Sequence, residues 1–468
     1  MNDAHAPNEP AAKASLLALL FGFTAPVDRR TYALVGFTLM ALKYAVDAAA
    51  IRWFAGEVWT PLDYLSPLRS TREGRLGAEH DLLQLALVLW TLPFLWIGVS
   101  MTMRRAADAG RQPALGVLLF FAPILNYAWM LLLCVLPSVA APRAQRSVSE
   151  EGGVSIRRAS KAALAAVVVT GAAFAVNVYV LSSYGVALFV GGPLLLGATA
   201  TVVYNAADLR PLRESVHVTT FATMCVGGAL LLFAAEGLLC IAMAMPLAVP
   251  MSLFGTLVGH CIASSFAPTR RVAALVPLVW FVASLFEART AAPALGRATT
   301  SVAVAAPREV VWQHVVSFSE LPPPDEFYFR LGIAHPLRAR IEGRGVGAVR
   351  RCEFSTGAFV EPITTWDEPR HLAFDVSAAP APLVELSPYA ELAPPHLEEH
   401  FASRRGEFRL HVDGAGTRLE GTTWYELRLG PAPYWRLWSD ALVHRIHTRV
   451  LEHVRNLAET QASDAAGR

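Results

Sequence analysis

The hydrophobic pattern of the chain changes character near residue 290. Before that point, apolar residues run in long blocks at 31–51, 82–103, 113–136, 162–206, 216–263 and 272–288. A helix that spans a bilayer needs about 20 mostly apolar residues. Taking 162–206 and 216–263 as pairs of spans, the blocks predict about eight spans. Within the pairs, the turns are expected near Ser182–Gly185 and near Met243–Pro250. The first block is interrupted by Lys43 and Asp47, four residues apart and so able to pair on one helix face.

Beyond residue 297 the apolar positions alternate in short runs. Residues 299–306 predict a strand, and Pro307 opens a helix over 307–318, a first-turn position that proline suits. Alternating segments follow at 338–355, 358–366, 371–378, 406–413 and 417–429, the last two joined by the turn Asp413-Gly414-Ala415-Gly416. A helix over 433–459 closes the pattern. Its stripe of Trp435, Trp438, Leu442, Ile446, Val450, Val454 and Leu457 recurs at three- and four-residue spacing. An antiparallel sheet with one apolar face needs a cover, and the terminal helix supplies it, leaving room for a cavity between the two. The fold class expected is a multi-pass α-helical membrane protein with a C-terminal α+β domain.

Composition sharpens this division. Hydrophobic residues make up 54% and charged residues 17%, against roughly 25% charged in ordinary soluble domains. A net charge of +2 without a concentrated basic face excludes a nucleic-acid binder. The abundance of Ala, Arg, Gly and Pro suits a bacterial source. Cys134, Cys225, Cys240, Cys261 and Cys352 show no metal-ligand spacing, so neither a zinc site nor a disulfide framework is expected, and no cofactor. The first residues do not read as a secretory signal, and the first helix is expected to stay in the protein. Basic residues mark one side of the membrane: Arg143, Arg146, Arg157, Arg158 and Lys161, then Arg210 with Arg213, and Arg270 with Arg271. If that side is cytoplasmic, one more span puts the C-terminal domain outside, whereas soluble domains of the kind it resembles below are usually cytosolic, so its side stays open. Arg104, Arg105 and Arg111 agree with an outside domain only if 113–136 form a re-entrant hairpin.

Two stretches resemble known families. Residues 21–32 (FGFTAPVDRRTY) and the segment 93–137, with Arg104, Arg105, Asp108 and Gly110, resemble the bacterial inner-membrane family called domain of unknown function 805. Ala106 and Ala107 stand where that family has Leu and His. The resemblance implies location, a bacterial cytoplasmic membrane, more than activity. Ala306-Pro307 through Trp312, Gly345–Gly347, Glu361–Trp366 with Pro369, and Gly416–Leu419 resemble the START-like (SRPBCC) superfamily, which includes polyketide cyclase-like and lipid-transfer domains. That resemblance implies a helix-grip fold with an internal pocket for an apolar or amphipathic ligand. The domains expected are 1–140, a basic linker 141–161, further spans over 162–290, and the helix-grip domain over 298–460.

Strand alternation nominates the pocket residues. Phe374 shares a face with Leu372 and Val376, and Phe408, Leu410 and Val412 form another inward set. Leu419, Tyr425 and Leu427 share one face of the last strand. Arg350, with Phe354, and Glu361, with Phe359, are expected to point inward from neighbouring strands, either as a structural ion pair or as an anchor for a ligand head group. Trp438 joins them from the helix. In the membrane half, Glu236 and His260 are the ionisable candidates for a proton or ligand site. His444, His447 and His453 are expected on a solvated helix face, and 379–395, followed by His396 and His400, as a loop over the pocket mouth. No nucleophile elbow, phosphate-binding loop or dinucleotide fingerprint occurs. The function expected is binding of a lipid or other hydrophobic small molecule beside the bilayer. The alternatives are a cyclase- or dehydratase-like enzyme using Glu361, Tyr425 or a pocket histidine, and a transporter or membrane component regulated by the soluble domain.

Overall fold

The structure is a computed structural model that describes residues 16–22, 26–65, 81–122, 124–139, 155–265, 269–389, 392 and 394–466. Pro123, Arg143, Arg146 and most of the basic linker lie outside the described residues.

The membrane half is helical. Helix α1 (Arg29–Phe54) is capped by Asp28, whose carboxylate accepts the Thr31 N–H at 3.0 Å. Helix α2 (Asp81–Asp108) follows, then α3 (Pro113–Phe120) and α4 (Leu125–Val135). Helix α5 (Ile156–Ala175) is extended by a wider turn over Val176–Val180. A second wide turn, Ala187–Gly191, leads into α6 (Gly192–Tyr204). Helices α7 (Leu212–Leu232), α8 (Leu238–Ser265) and α9 (Thr269–Thr290) complete the bundle. Among the described residues, five stretches are long and apolar enough to cross a membrane: Arg29–Phe54, Arg157–Val180, Ala187–Tyr204, Leu212–Leu232 and Leu238–Ser264.

Helices α3 and α4, of 8 and 11 residues, are each too short to cross a hydrocarbon core of about 30 Å at about 1.5 Å per residue. They enter and leave at the same end. Helix α3 starts just after Asp108, and past α4 the Val139 N–H returns to the Asp108 carbonyl at 2.8 Å. Phe120, near the tip, packs against Gly98, ten residues back along α2. This is a re-entrant hairpin, and the buried Arg105 closes it. Its guanidinium donates to the carbonyl of Leu133 at 2.9 Å, to that of Leu136, and to Asp108 Oδ2 at 2.7 Å. Those carbonyls belong to the last turn of α4, where a cation and extra donors are favoured. Arg105 and Asp108 of the sequence motif therefore work as a structural clasp.

The expected turn near Met243–Pro250 is corrected. The chain turns at 233–237, and α8 runs unbroken through Pro246 and Pro250. Proline survives in an apolar helix where neighbouring groups re-satisfy the freed carbonyls. Helices α6 and α8 cross in close contact. A Cβ at Gly255 or Gly259 would lie 2.2 Å from the Leu194 carbonyl oxygen or 2.7 Å from that of Ala198. The four-residue glycine spacing is what lets the backbones approach.

The C-terminal half is a seven-stranded antiparallel sheet in the order β1-β7-β6-β5-β4-β3-β2. The strands are β1 (Ala294–Val304), β2 (Pro336–Glu342), β3 (Val349–Phe354), β4 (Gly357–Asp367), β5 (His371–Asp375), β6 (Phe401–Asp413) and β7 (Gly416–Leu427). Helix α10 (Arg308–Val316) packs at one end, and α11 (Ala432–Ala466) crosses the concave face. Trp312, Leu372, Leu419, Leu451 and Val454 are in its core. This is a helix-grip domain. Val412 departs from the expected inward set: it is 65% exposed, because β6 there runs out past the helix into the Gly414 turn.

The sheet's open end is docked on one end of the bundle. The Leu238 N–H donates to the Leu386 carbonyl at 2.9 Å, the Tyr389 hydroxyl to the Leu232 carbonyl at 3.0 Å, and the Gly430 N–H to the Tyr184 carbonyl at 2.9 Å. Phe189 meets Trp435 edge to face at 4.7 Å.

Candidate functional site

Strands β3 and β4 put Arg350 directly opposite Glu361 in the ladder. The two side chains form an ion pair, and both are buried, at 1% and 5% exposure. The Arg350 guanidinium also donates to the Val316 carbonyl at 3.2 Å and stands 5.6 Å from the ring centres of Phe318, Phe374 and Phe408. Burial pushes the Glu361 carboxyl above its ordinary range, and Arg350 pulls it back only part of the way. Burial also drives the neighbouring Cys352 thiol up to about 12.

This pair borders a cavity of about 1620 Å³ that runs without interruption from the helix-grip interior into the helix bundle. Arg350, Phe354, Phe359, Glu361, Phe374 and Trp438 all line it. Tyr425 does not: its ring covers Gly296 and its hydroxyl donates to Asp440 on α11, so it joins sheet to helix. The loop over 379–395 contributes wall residues from Ala379 to Leu383. On the bundle side the cavity reaches the paired Lys43 and Asp47 of α1.

His447 is not on a solvated face. Its ring turns toward the sheet, with Nε2 2.8 Å from Thr423 Oγ1 and Nδ1 3.2 Å from Thr300 Oγ1. It borders the cavity, and burial, then the neighbouring His444, lower it to about 4.

Glu236 and His260 are not brought together. Glu236 lies in the α7–α8 turn, while His260 sits near the far end of α8, about 33 Å along at about 1.5 Å per residue. Glu236 instead meets residues from the soluble domain. His396 Nδ1 is 3.6 Å from Glu236 Oε1, and His396 Nε2 is 3.0 Å from Cys240 Sγ. One ligand atom from each of Glu236, Cys240 and His396 lies within 4.8 Å of the others. The Tyr184 ring packs on His396 and His400 at 4.9 and 4.8 Å. Burial, with His400 beside it, lowers His396 to about 3, so its imidazole is neutral. Glu385 accepts from the backbone N–H groups of Leu239 and Cys240, each at 3.1 Å, and so caps the start of α8. Sequence reasoning missed this cluster. Its only trace there is two four-residue spacings, Glu236 with Cys240 and His396 with His400, in segments 156 residues apart.

Residues 20–144 match the family model described as Protein of unknown function (DUF805). That covers a little over a quarter of the chain, the part that holds α1, α2 and the re-entrant hairpin. No curated protein matches this sequence. Among solved structures, the C-terminal domain is similar to the ZhuI aromatase/cyclase from Streptomyces sp. R1128, at 20% identity, 36% of this chain, 94% of that one and a TM-score of 0.22. It is similar to norcoclaurine synthase from Thalictrum flavum, at 9% identity, 37% and 99% coverage and a TM-score of 0.25. A third similar structure is protein NE0264 from Nitrosomonas europaea, at 11% identity, 36% and 96% coverage and a TM-score of 0.23. The helix-grip fold itself is given by the seven-stranded antiparallel sheet and α11.

Proposed function

We propose that the C-terminal domain binds a lipid or another hydrophobic small molecule taken from the membrane that holds it. The observation that supports this is the continuity of the cavity. It starts at a buried charged pair among aromatic rings, and its lining continues onto residues of the membrane helices. Ligand pockets usually measure about 300–1,000 Å³, so about 1620 Å³ accommodates a long amphiphile. Its head would lie at Arg350 and Glu361, and its tail would run past Phe374 and Trp438 toward the bundle. Native mass spectrometry of the full chain, released from lipid nanodiscs, tests the reading. A retained amphiphile, and photo-crosslinks from a diazirine-bearing fatty acyl probe at Phe354 or Phe374, are expected. No retained molecule, with crosslinks confined to the outer faces of the helices, would refute it.

We propose a side for the domain from the basic residues of the bundle. Arg29, Arg30, Arg104, Arg105, Arg158, Arg210 and Arg213 gather at the bundle end opposite the domain, and the re-entrant hairpin removes the conflict with Arg104 and Arg105. Basic residues favour the cytoplasmic face, and this supports a pocket domain outside a bacterial cytoplasmic membrane. Alkaline phosphatase fused after Arg468 is expected to be active. An inactive fusion, with a fluorescent cytosolic reporter at the same point, would overturn the assignment.

A further inference from the structure

We propose that Glu236, Cys240 and His396 bind a divalent transition-metal ion of the zinc class at the junction of the bundle and the helix-grip domain. The donor set is one carboxylate oxygen, one sulfur and one imidazole nitrogen, already within 4.8 Å of one another. Zinc binds such mixed ligands at about 2.0–2.3 Å, so side-chain rotation of a fraction of an ångström to an ångström closes the site. Calcium and magnesium prefer all-oxygen sites, and a thiolate excludes them.

The site's own polar atoms point to a missing partner. Glu236 and His396 are more than nine-tenths buried, at 7% and 9% exposure; His396 Nδ1 has no hydrogen-bond partner, and the Glu236 carboxyl has the neutral Tyr184 side chain beside it and no cation. A buried carboxylate normally pairs with a cation. Here the neighbouring charge is a second carboxylate, Glu385, which is held by the Leu239 and Cys240 N–H groups. A divalent ion resolves both defects, and Glu385 orients the backbone that carries Cys240. All three ligands border the large cavity. A fourth coordination position therefore faces it, as in zinc sites that keep one position open.

The ligands come from both halves of the chain, so the ion also ties the domain to the membrane helices. The inference stands apart from the lipid-binding reading, since a metal can join the halves whether or not the cavity is filled.

The test uses the full, untagged chain in detergent, stripped with chelator, reloaded with zinc and desalted. Zinc retained at about one equivalent per chain is expected. Cobalt(II) in its place should give thiolate-to-cobalt charge-transfer absorption in the near ultraviolet. That absorption should vanish in Cys240→Ser and persist in Cys261→Ser, at the far end of α8. His396→Ala should weaken zinc binding by more than the roughly 100-fold that loss of a supporting partner costs. Failure of the wild-type chain to retain zinc, or a cobalt spectrum without the charge-transfer absorption, would overturn the proposal with no variant needed. So would a spectrum unchanged in Cys240→Ser.

Discussion

Replacing Glu361 by Gln leaves the Arg350 guanidinium charged, 1% exposed and without its carboxylate. Breaking a buried pair by removing one partner costs about 3–5 kcal/mol. The three aromatic rings at 5.6 Å and the Val316 carbonyl remain, and they return part of that, about 0.5–2 kcal/mol for the rings. A net loss of about 2–4 kcal/mol remains, which for a unit of this size lowers the melting temperature by about 4–16 °C. The double variant Arg350→Met with Glu361→Leu removes both charges and keeps the volume, so it should melt within a few degrees of wild type or above it. The assay is the loss of near-ultraviolet circular dichroism of the full chain in detergent, with no ligand added. A Glu361→Gln melting temperature within about 2 °C of wild type would refute the reasoning. It would mean that burial has already protonated the carboxyl at neutral pH and that no ion pair is there to break. Ligand retention then separates structure from recognition: a stable double variant that no longer retains an amphiphile assigns the pair to the head group.

Other outcomes follow from the same contacts. Arg105→Ala removes the clasp of the re-entrant hairpin and strips donors from the carbonyls of Leu133 and Leu136. It should cost about 3 kcal/mol or more, read as increased proteolysis between 108 and 139, and wild-type protection would contradict it. His447 is held near 4 in the fold against an ordinary 6.5, so the unfolded chain binds the extra proton first. Its contribution is complete above pH 6.5 and is lost as pH falls toward 4, by at most about 3 kcal/mol. His447→Gln should flatten that part of the pH–stability curve, and an unchanged slope would count against it. Gly259→Leu forces a side chain into the Ala198 backbone and should separate α6 from α8, lowering stability by at least about 1–3 kcal/mol, as measured by melting in detergent.

Some of this protein is legible from its residues alone. Period-two alternation marks the strands, and because a one-residue slip would turn every apolar side chain outward, the same alternation puts Arg350 and Glu361 on one inner face. The three- and four-residue stripe from Trp435 to Leu457 marks the covering helix. These features depend on local periodicity, which is written along the chain. Val412 shows where that logic stops: alternation orders the faces of β6, but the length of the cover decides which residues are sheltered. The rest belongs to the tertiary structure. Hydropathy cannot tell one crossing from the hairpin of α3 and α4, since both are apolar; the return of Val139 to Asp108 decides it. Met243–Pro250 reads as a turn because it lies within an apolar block long enough for two spans, yet among packed helices it stays helical. Glu236, Cys240 and His396 cannot be read together at all. Their separation along the chain carries no periodic signal, and only the docking of the domain's open end on the bundle brings a buried carboxylate, thiol and imidazole within reach of one ion.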